Sequence, residues 1–272
     1  MDAPFGREGC PVPVVREAAT VTDAQVAYYQ DNGFVQVDQV LTPLELAALQ
    51  EEIDRIYARG QGGVHTHTTG SAYSKVLDQR VNIWRDNPVV RAFVMTPRFA
   101  EMARRLAGVS GVRLWHDQAL LKQPGDSRPT PWHQDLPYWP MNESGALSMW
   151  VALDDVDPSN GAMSFVPGSQ GVGALPGINL VDPQDIFAAV PKGRLAGVAP
   201  VTATMRAGSC TFHNGLCFHY ASANTTDRPR RAMVVIYMPD GTTFNGRGHI
   251  VTKDLGLGVG APLRGEMFPL LA

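Results

Sequence analysis

Two histidines and one aspartate have the types and spacing of ligands to a single metal ion. His133 and Asp135 form an H-x-D sequence within residues 131–138, a stretch predicted to be a β-strand. Because residues i and i+2 of a strand point to the same face, both side chains can reach one ion. A third ligand can come from any neighbouring strand, and His219 lies in another strand-like stretch. Two histidines and one carboxylate form the iron site of non-haem Fe(II) oxygenases, which leaves positions open for O2 and an organic cosubstrate.

The composition is that of a globular protein and argues against several classes of partner. The chain has 272 residues, 44% hydrophobic and 18% charged, enough for one large β domain or two smaller domains. Its net charge is −3 and it has no basic block, so nucleic acid and anionic membranes are poor candidates as partners. The sequence shows no apolar leader and no stretch of transmembrane length, which predicts a cytoplasmic protein. Three cysteines without C-x-x-C spacing argue against a disulfide framework and a thiolate zinc site.

Predicted helices precede predicted strands along the chain. A loose tail over residues 1–20 is followed by helix-start signals at Thr22 and Thr42, and helical patterns dominate up to residue 107. One short strand is predicted among them, at residues 34–37. Seven further strands are predicted at residues 112–122, 131–138, 146–153, 163–167, 201–205, 209–219 and 231–238. This order predicts an antiparallel barrel or sandwich flanked by helices.

These elements are predicted to form a single domain over residues 21–272, with helices at about 22–107 and a β core at about 111–240. Residues 170–197 are long and irregular, which indicates a lid-like insert over a substrate site. Residues 60–75 are rich in Gly, Thr and His and are predicted to form a loop.

The motifs around the candidate ligands resemble one known family. They are DNGFV at 31–35, LWHDQ at 114–118, KQPG at 122–125, WHQD at 132–135, WVAL at 150–153, NGAM at 160–163, VPGS at 166–169, and HYASAN with RRA between 219 and 232. Each motif alone is unspecific, but together, and in this order, they are highly specific. The chain resembles the phytanoyl-CoA dioxygenase family of Fe(II)/2-oxoglutarate oxygenases over roughly residues 22–240.

The resemblance implies a fold and an iron site. The fold is mainly β with flanking helices, built on a double-stranded β-helix (jelly-roll, cupin-like) core. Iron would be held by His133, Asp135 and His219. The implied cofactor and cosubstrates are Fe(II), 2-oxoglutarate and O2.

The resemblance also implies residues that bind 2-oxoglutarate. Arg230 stands where the family has a basic residue for the far carboxylate, and a guanidinium fork matches a carboxylate at two points. Arg231 would point to the opposite face of the strand and is the weaker candidate. Lys122 and Ser222 are predicted as further contacts to the cosubstrate. Trp150 stands where the family often has an aromatic residue lining the pocket.

His213 is the alternative to His219 as the third ligand. The two histidines are six residues apart and would share one face of an unbroken strand. We favour His219 because its spacing to Ser222, Asn224 and Arg230 is that of the family, whereas the spacing of His213 is not.

Two further groups of residues do not have a single functional role that the sequence indicates. His116 and Asp117 are adjacent and would project to opposite faces, so His116 is predicted to line the pocket or to be structural, and not to bind metal. The aromatic-rich residues 138–141 follow the candidate ligands. Substrate lining and ordinary core packing are equally good interpretations of them, because pockets and cores share composition.

These assignments predict oxidation of a C–H bond in a small, moderately apolar molecule, with release of succinate and CO2. Hydroxylation is the first expectation, with ring closure or epimerisation as variants, in bacterial secondary metabolism. Halogenating relatives replace the carboxylate ligand by a small residue, so Asp135 argues against halogenation.

Two alternatives from other classes stay open. One is a cupin-like non-redox metal enzyme, a hydrolase or isomerase, since Zn and Ni accept the same ligands. The other is a non-catalytic binding protein. Arg230 argues against the first, which needs no carboxylate anchor, and the complete set of four site residues argues against the second.

Overall fold

The computed structural model describes residues 20–59, 64–65, 72–125 and 127–272, and the predicted tail lies outside these ranges except for Thr20. The described residues form five α-helices: α1 (Asp23–Asn32), α2 (Pro43–Arg59), α3 (Ala72–Val76), α4 (Pro88–Val94) and α5 (Pro97–Ala107). None of these helices is long and apolar enough to cross a membrane.

Two antiparallel sheets form the core of the described chain. The strands are β1 (Phe34–Val37), β2 (Val64–His65), β3 (Asp78–Val81), β4 (Val112–Lys122), β5 (Thr130–His133), β6 (Leu147–Ala152), β7 (Met163–Phe165), β8 (Val201–Ala203), β9 (Cys210–Asn214), β10 (His219–Ala221) and β11 (Arg230–Pro239). The larger sheet has seven strands in the order β1-β9-β6-β11-β4-β3-β2, and the smaller has four in the order β5-β10-β7-β8. The predicted jelly-roll core is therefore confirmed.

Strand β11 shows how the larger sheet is buried on both faces. Alternate side chains of a strand point to opposite faces. One set packs with the helices in the outer core: Met233, Val235 and Tyr237. The other set lies in the core between the two sheets: Val234, Ile236 and Met238. Strands β6 and β9 alternate in the same way, so their inward-facing positions are the ones available to build a site.

The helices begin where the sequence predicts. The Thr22 hydroxyl accepts a hydrogen bond from the backbone N–H of Gln25, and the backbone N–H of Thr22 donates to Oε1 of Gln25 in return. Together these two hydrogen bonds form a capping box. Thr42 and Glu45 form the same arrangement at the start of α2. Helix α1 ends at Gly33, whose φ of 81° is the left-handed conformation that favours glycine.

Two predicted strands are shorter than expected, and both differences shape the site. The predicted strand 131–138 ends at His133, because Pro137 cannot donate a ladder hydrogen bond, and a 3-10 helix over Leu136–Tyr138 follows. Asp135 therefore lies at the start of that helix with φ −80° and ψ −43°, so the expectation that it shares a strand with His133 is wrong.

The predicted strand 209–219 is in fact two strands in different sheets. It breaks at Asn214-Gly215, a strong turn signal, and the Asn214 side chain accepts a hydrogen bond from the backbone of Leu216. His213 therefore ends up in the larger sheet and His219 in the smaller one.

The N-terminal region also differs in detail from the prediction. It adds β2 and β3 to the larger sheet, and residues 72–75 of the predicted loop belong to helix α3. Much of the rest of that loop lies outside the described residues. Cys210 and Cys217 are free and buried, as expected of small core residues.

Candidate active site

A cavity of about 440 Å³ lies between the two sheets. Inward-facing residues of β4, β6, β9 and β11 form one wall, and His133, Met163 and His219 of the smaller sheet form the other. The register of the larger sheet orders the first wall in rows. His213, Ser148, Ile236 and His116 lie opposite one another in adjacent strands, and Arg230 lies opposite Lys122 at the far end.

The three candidate ligands meet on one side of this cavity. His133 at the end of β5 is paired directly with His219 at the start of β10. Nε2 of each histidine lies 3.6 Å from Oδ1 of Asp135. The three ligand atoms lie within 4.8 Å of one another, and in the described chain no other group of three His, Cys, Asp or Glu side chains is so placed. Atoms at these separations can share one ion with bonds of about 2 Å.

Backbone carbonyls fix the tautomers of both candidate histidines. Nδ1 of His133 donates to the carbonyl of Pro131 at 2.7 Å, and Nδ1 of His219 donates to that of Cys217 at 3.0 Å. A carbonyl can only accept, so Nδ1 carries a proton in both rings, and in the neutral form of each ring the lone pair is on Nε2. This is the arrangement found around metal-bound histidines.

Two further side chains orient the carboxylate of Asp135. Ser148 donates to Oδ2 at 3.1 Å, and Nε2 of His213 lies 3.3 Å from the same oxygen. Oδ1 is left to face the two ligand histidines. Nε2 of His213 thus faces the far oxygen of Asp135, and His213 is not among the three side chains whose ligand atoms converge. The sequence presents His213 only as a candidate ligand and contains no motif that indicates Ser148. Both residues face inward at paired positions of β9 and β6.

Asp135 is ionised in this setting. Burial alone raises the pKa of its carboxyl group, but the surrounding imidazoles of His219, His133 and His213 outweigh burial and hold the pKa well below the usual value. Burial, followed by the nearby His133, lowers the pKa of His219 to about 3. Two imidazole nitrogens and one carboxylate oxygen form a donor set that suits a divalent iron ion.

The far end of the cavity is cationic. Arg230 is 2% exposed, its guanidinium lies over the Trp150 ring at 5.1 Å, and its Nε and Nη1 have no hydrogen-bond partner. Burial lowers its pKa to about 10, so it remains a cation. Lys122 donates to the carbonyls of Val76 and Arg128 at 3.1 and 2.8 Å. Burial, and then Arg230, lower the pKa of Lys122 to about 7.

Within the described chain neither Arg230 nor Lys122 forms a salt bridge with a carboxylate. The nearby acid Asp154 binds Arg231 at 2.5 Å instead, on the other face of β11, which is where the alternation predicts Arg231. A buried charge without a partner is costly, and two idle guanidinium nitrogens are an open binding position for an anion. A carboxylate that extends from the ion towards Arg230 fits this arrangement.

Ser222 and Gly161 border the cationic end in different ways. Ser222 lies outside the cavity, and its hydroxyl donates to the carbonyl of Pro158 at 2.7 Å. Gly161 has φ 104°, and a Cβ there would lie 2.8 Å from Cδ of Lys122 and 3.3 Å from Nη2 of Arg230. The missing side chain of Gly161 therefore keeps the space beside both cations free.

The remaining wall is aromatic and apolar. Tyr138 and Trp139 line the cavity, as one of the two interpretations of residues 138–141 predicts. The hydroxyl of Tyr138 donates to the carbonyl of Ile178 at 2.8 Å and accepts from its N–H at 3.1 Å. Ile178, with Asn179 and Leu180, belongs to the predicted lid-like insert and lines the cavity.

Three further residues line the cavity; one is predicted from the sequence, and two belong to no sequence motif. His116 lines the cavity, and Asp117 faces away and accepts hydrogen bonds from the backbone of Ile83 and Trp84. His249 and Ile250 line it from the segment after β11.

The chain is similar to proteins of known activity. The family model of phytanoyl-CoA dioxygenase (PhyH) matches residues 29–232. L-proline trans-4-hydroxylase of Streptomyces griseoviridis is 27% identical over 244 residues, covering 81% of this chain and 87% of the hydroxylase.

Two solved structures are similar over nearly the whole chain. The epimerase SnoN, in complex with Fe3+, alpha ketoglutarate and nogalamycin RO, has a TM-score of 0.78 and 34% sequence identity, covering 92% of this chain and 98% of SnoN. The non-heme alpha ketoglutarate dependent carbocyclase SnoK from nogalamycin biosynthesis has a TM-score of 0.78 and 28% identity, covering 93% of this chain and 97% of SnoK.

Replacing His213 should weaken metal binding although His213 is not a ligand. His213→Phe keeps an aromatic ring but removes the group that fixes Oδ2 of Asp135. We expect affinity for Fe(II) to fall by about 10- to 100-fold, measured anaerobically by competition with a chromophoric chelator. Thr211→Val is the control, because Thr211 faces inward on the same strand and its buried hydroxyl has no partner. Unchanged Fe(II) affinity in H213F would show that Asp135 does not need this contact.

A methyl group at residue 161 should block the cationic end. We expect Gly161→Ala to weaken binding of 2-oxoglutarate to the Zn(II)-loaded protein by about 10-fold or more, because the new Cβ crowds Lys122 and Arg230. Calorimetric titration measures this. Gly241→Ala is a matched control, since Gly241 has φ 94° and a Cβ there would meet nothing within 4 Å. Equal weakening in both variants would mean that backbone strain, and not crowding, is responsible.

Proposed function

The chain belongs to the phytanoyl-CoA dioxygenase family and is an Fe(II)/2-oxoglutarate-dependent oxygenase, and we propose that His133, Asp135 and His219 hold its iron. The observation that carries this proposal is the convergence of three ligand atoms whose protonation is already set. Backbone carbonyls accept hydrogen bonds from Nδ1 of both histidines, so Nε2 of each ring faces the candidate metal position. Oδ1 of Asp135, whose other oxygen is held by Ser148, faces both Nε2 atoms. Three protein ligands leave open positions for a chelating cosubstrate and O2.

We propose that Arg230 binds the far carboxylate of 2-oxoglutarate, with Lys122 beside it. Arg230 is a buried cation with unused nitrogens, and Lys122 lies opposite it in the register. When bound, iron and 2-oxoglutarate supply the oxidising power, with succinate and CO2 as the by-products. Lys122 has two of its donors bound to carbonyls, so it contributes mainly charge to this end of the cavity.

The chain itself positions the substrate and excludes water. A cavity of about 440 Å³ lies in the size range of small-molecule sites. Apolar side chains line much of it, among them Leu120, Met163, Val234, Ile178 and Ile250. Tyr138 ties the insert to the wall next to Asp135, which closes the cavity on that side. We infer a small, moderately apolar substrate.

We propose that the reaction begins at a substrate C–H bond and that the cavity wall decides its outcome. The wall fixes which carbon faces the iron and which face of that carbon stays open. Hydroxylation, ring closure and inversion of a stereocentre are all consistent with this arrangement. The similarity to the carbocyclase SnoK and the epimerase SnoN supports a tailoring step in natural-product biosynthesis.

The oxygenase assignment prevails over the two alternatives from the sequence. A non-redox metal enzyme has no use for the buried cation pair at the end of the cavity. A non-catalytic binding protein does not need two histidines of fixed tautomer and a carboxylate arranged around one metal position. Family and relatives agree with the oxygenase assignment.

Removing the charge of Arg230 should affect 2-oxoglutarate specifically. We expect Arg230→Gln to raise the KM for 2-oxoglutarate by about 100-fold, since losing one partner of a buried charge pair costs about 2–5 kcal/mol. Succinate formation at increasing 2-oxoglutarate concentration measures this, and Fe(II) affinity should not change.

Arg231→Gln is the matched control for this experiment. It makes the same substitution one residue away, but Arg231 binds Asp154 and Asp54 outside the cavity. We expect its KM to stay within about 2-fold of the wild-type value, because both ion pairs of Arg231 lie on the face of β11 that points away from the cavity. The anchor assignment is contradicted if R230Q has the KM of the wild type, or if R231Q shows the larger increase.

A further inference from the structure

Two histidines that the iron site does not use lie at the end of the cavity opposite Arg230. His116 is six residues from Lys122 along β4, which corresponds to about 20 Å. His249 comes from the segment after β11 and lies beyond residues 29–232, the part that matches the family. The imidazole rings lie 5.9 Å apart at an angle of 27°, and both residues line the cavity.

A β-bulge brings this pair together. Ile236 of β11 lies opposite His116, but the next residue, Tyr237, lies opposite Leu114, so Trp115 is an extra residue in β4. A bulge re-aims side chains, and here Trp115 faces the core between the sheets. Its ring stacks on Phe268 and lies 5.2 Å from His249, so the second imidazole is held by aromatic packing.

The two rings have opposite hydrogen-bonding characters. Nδ1 of His116 donates to the carbonyl of Asp117 at 3.1 Å, so its Nε2 is an acceptor. Nδ1 of His249 accepts from the N–H of Val251 at 3.2 Å, so its Nε2 carries the proton and is a donor. Within the described chain neither Nε2 has a partner.

Both rings are neutral at neutral pH. Burial, and then the neighbouring His249, lower the pKa of His116 to about 3. Burial, and then Arg247, lower the pKa of His249 to about 4. Neither ring attracts an anion, in contrast to the Arg230 end.

We propose that His116 and His249 form a subsite for a hydroxyl group on a ring-bearing substrate. The hydroxyl donates to Nε2 of His116 and accepts from Nε2–H of His249. A hydroxyl both donates and accepts through one oxygen, and ring centroids 5.9 Å apart allow one oxygen to lie within hydrogen-bond distance, about 2.8 Å, of a nitrogen of each ring. Flat neighbours suit a ring, since Tyr73, Tyr138 and Trp139 also line the cavity.

The register also limits where oxidation occurs relative to this hydroxyl. Ser148, which holds Asp135, lies in the same row as His116 with β11 between them. Two strand spacings amount to about 10 Å. We therefore expect the reacting carbon to lie across one or two fused rings from the hydroxyl. The position of the reacting carbon rests on the proposed iron ligands, whereas the hydroxyl subsite rests only on taking this cavity as the substrate site.

Nitrogen-15 NMR of histidine-labelled, Zn(II)-loaded protein tests the subsite without using turnover. Two-bond 1H–15N correlations should show His116 protonated at Nδ1 and His249 protonated at Nε2 between pH 6.5 and 8, a range about two units or more above both values. Phenol should shift both Nε2 resonances saturably. Anisole, which replaces the hydroxyl proton with a methyl group, should bind about 10-fold more weakly.

Two variants make the result specific. His116→Phe keeps an aromatic ring beside His249 but removes the acceptor to which only the phenol hydroxyl can donate, so the preference for phenol over anisole should fall to about 2-fold or less. Tyr28→Phe removes a hydroxyl from an exposed ring away from the cavity and should keep the full preference. The spectra themselves show whether each variant is folded.

The proposal is overturned by opposite tautomers, by phenol leaving both resonances unchanged up to its solubility limit, by equal binding of anisole, or by an unchanged preference in H116F. These outcomes are distinguishable from a failure of the oxygenase assignment. Loss of iron or 2-oxoglutarate chemistry would leave the tautomers and the phenol shifts of the Zn(II)-loaded and metal-free proteins as predicted.

Discussion

The carboxylate of Asp135 is the interaction on which the rest of the site depends, because it connects the two sheets. Its Oδ2 is held by Ser148 and His213 of the larger sheet, and its Oδ1 faces His133 and His219 of the smaller sheet. Neither sheet alone brings three ligand atoms to one point. Asp135 is free to bridge them because the chain leaves β5 after His133 and turns into a 3-10 helix. The break in the strand is therefore part of the site.

Charge and polarity differ along the cavity, so each region suits a different bound group. Arg230 makes one end cationic, the ionised Asp135 lies among the imidazoles of the candidate iron site, and the His116–His249 pair lies in the row of Ser148 and is neutral but polar. In a low-dielectric cavity such differences are strong. A dicarboxylate would therefore bind at the Arg230 end, and a neutral alcohol would bind at the histidine pair.

The sequence predicts the chemistry of this site better than its local geometry. The ligand types, the jelly-roll core and the inward orientation of Arg230 over Arg231 follow from motifs and strand alternation. Asp135 was expected on a strand because alternation was extended through Pro137. The supporting role of His213 depends on the turn at Gly215, which moves it into another sheet. His249 has no motif, because its contact with Trp115 arises only from the packing of an irregular segment on a bulge.

An anaerobic optical titration tests the central claim most directly. Metal-free protein receives Fe(II) and then 2-oxoglutarate, and the visible spectrum is recorded after each addition. The account predicts a weak charge-transfer band only when both are present, and no band in His219→Ala, which lacks one ligand. If folded wild-type protein gives no band with both additions, or H219A gives the full band, these three residues do not hold an iron that chelates 2-oxoglutarate.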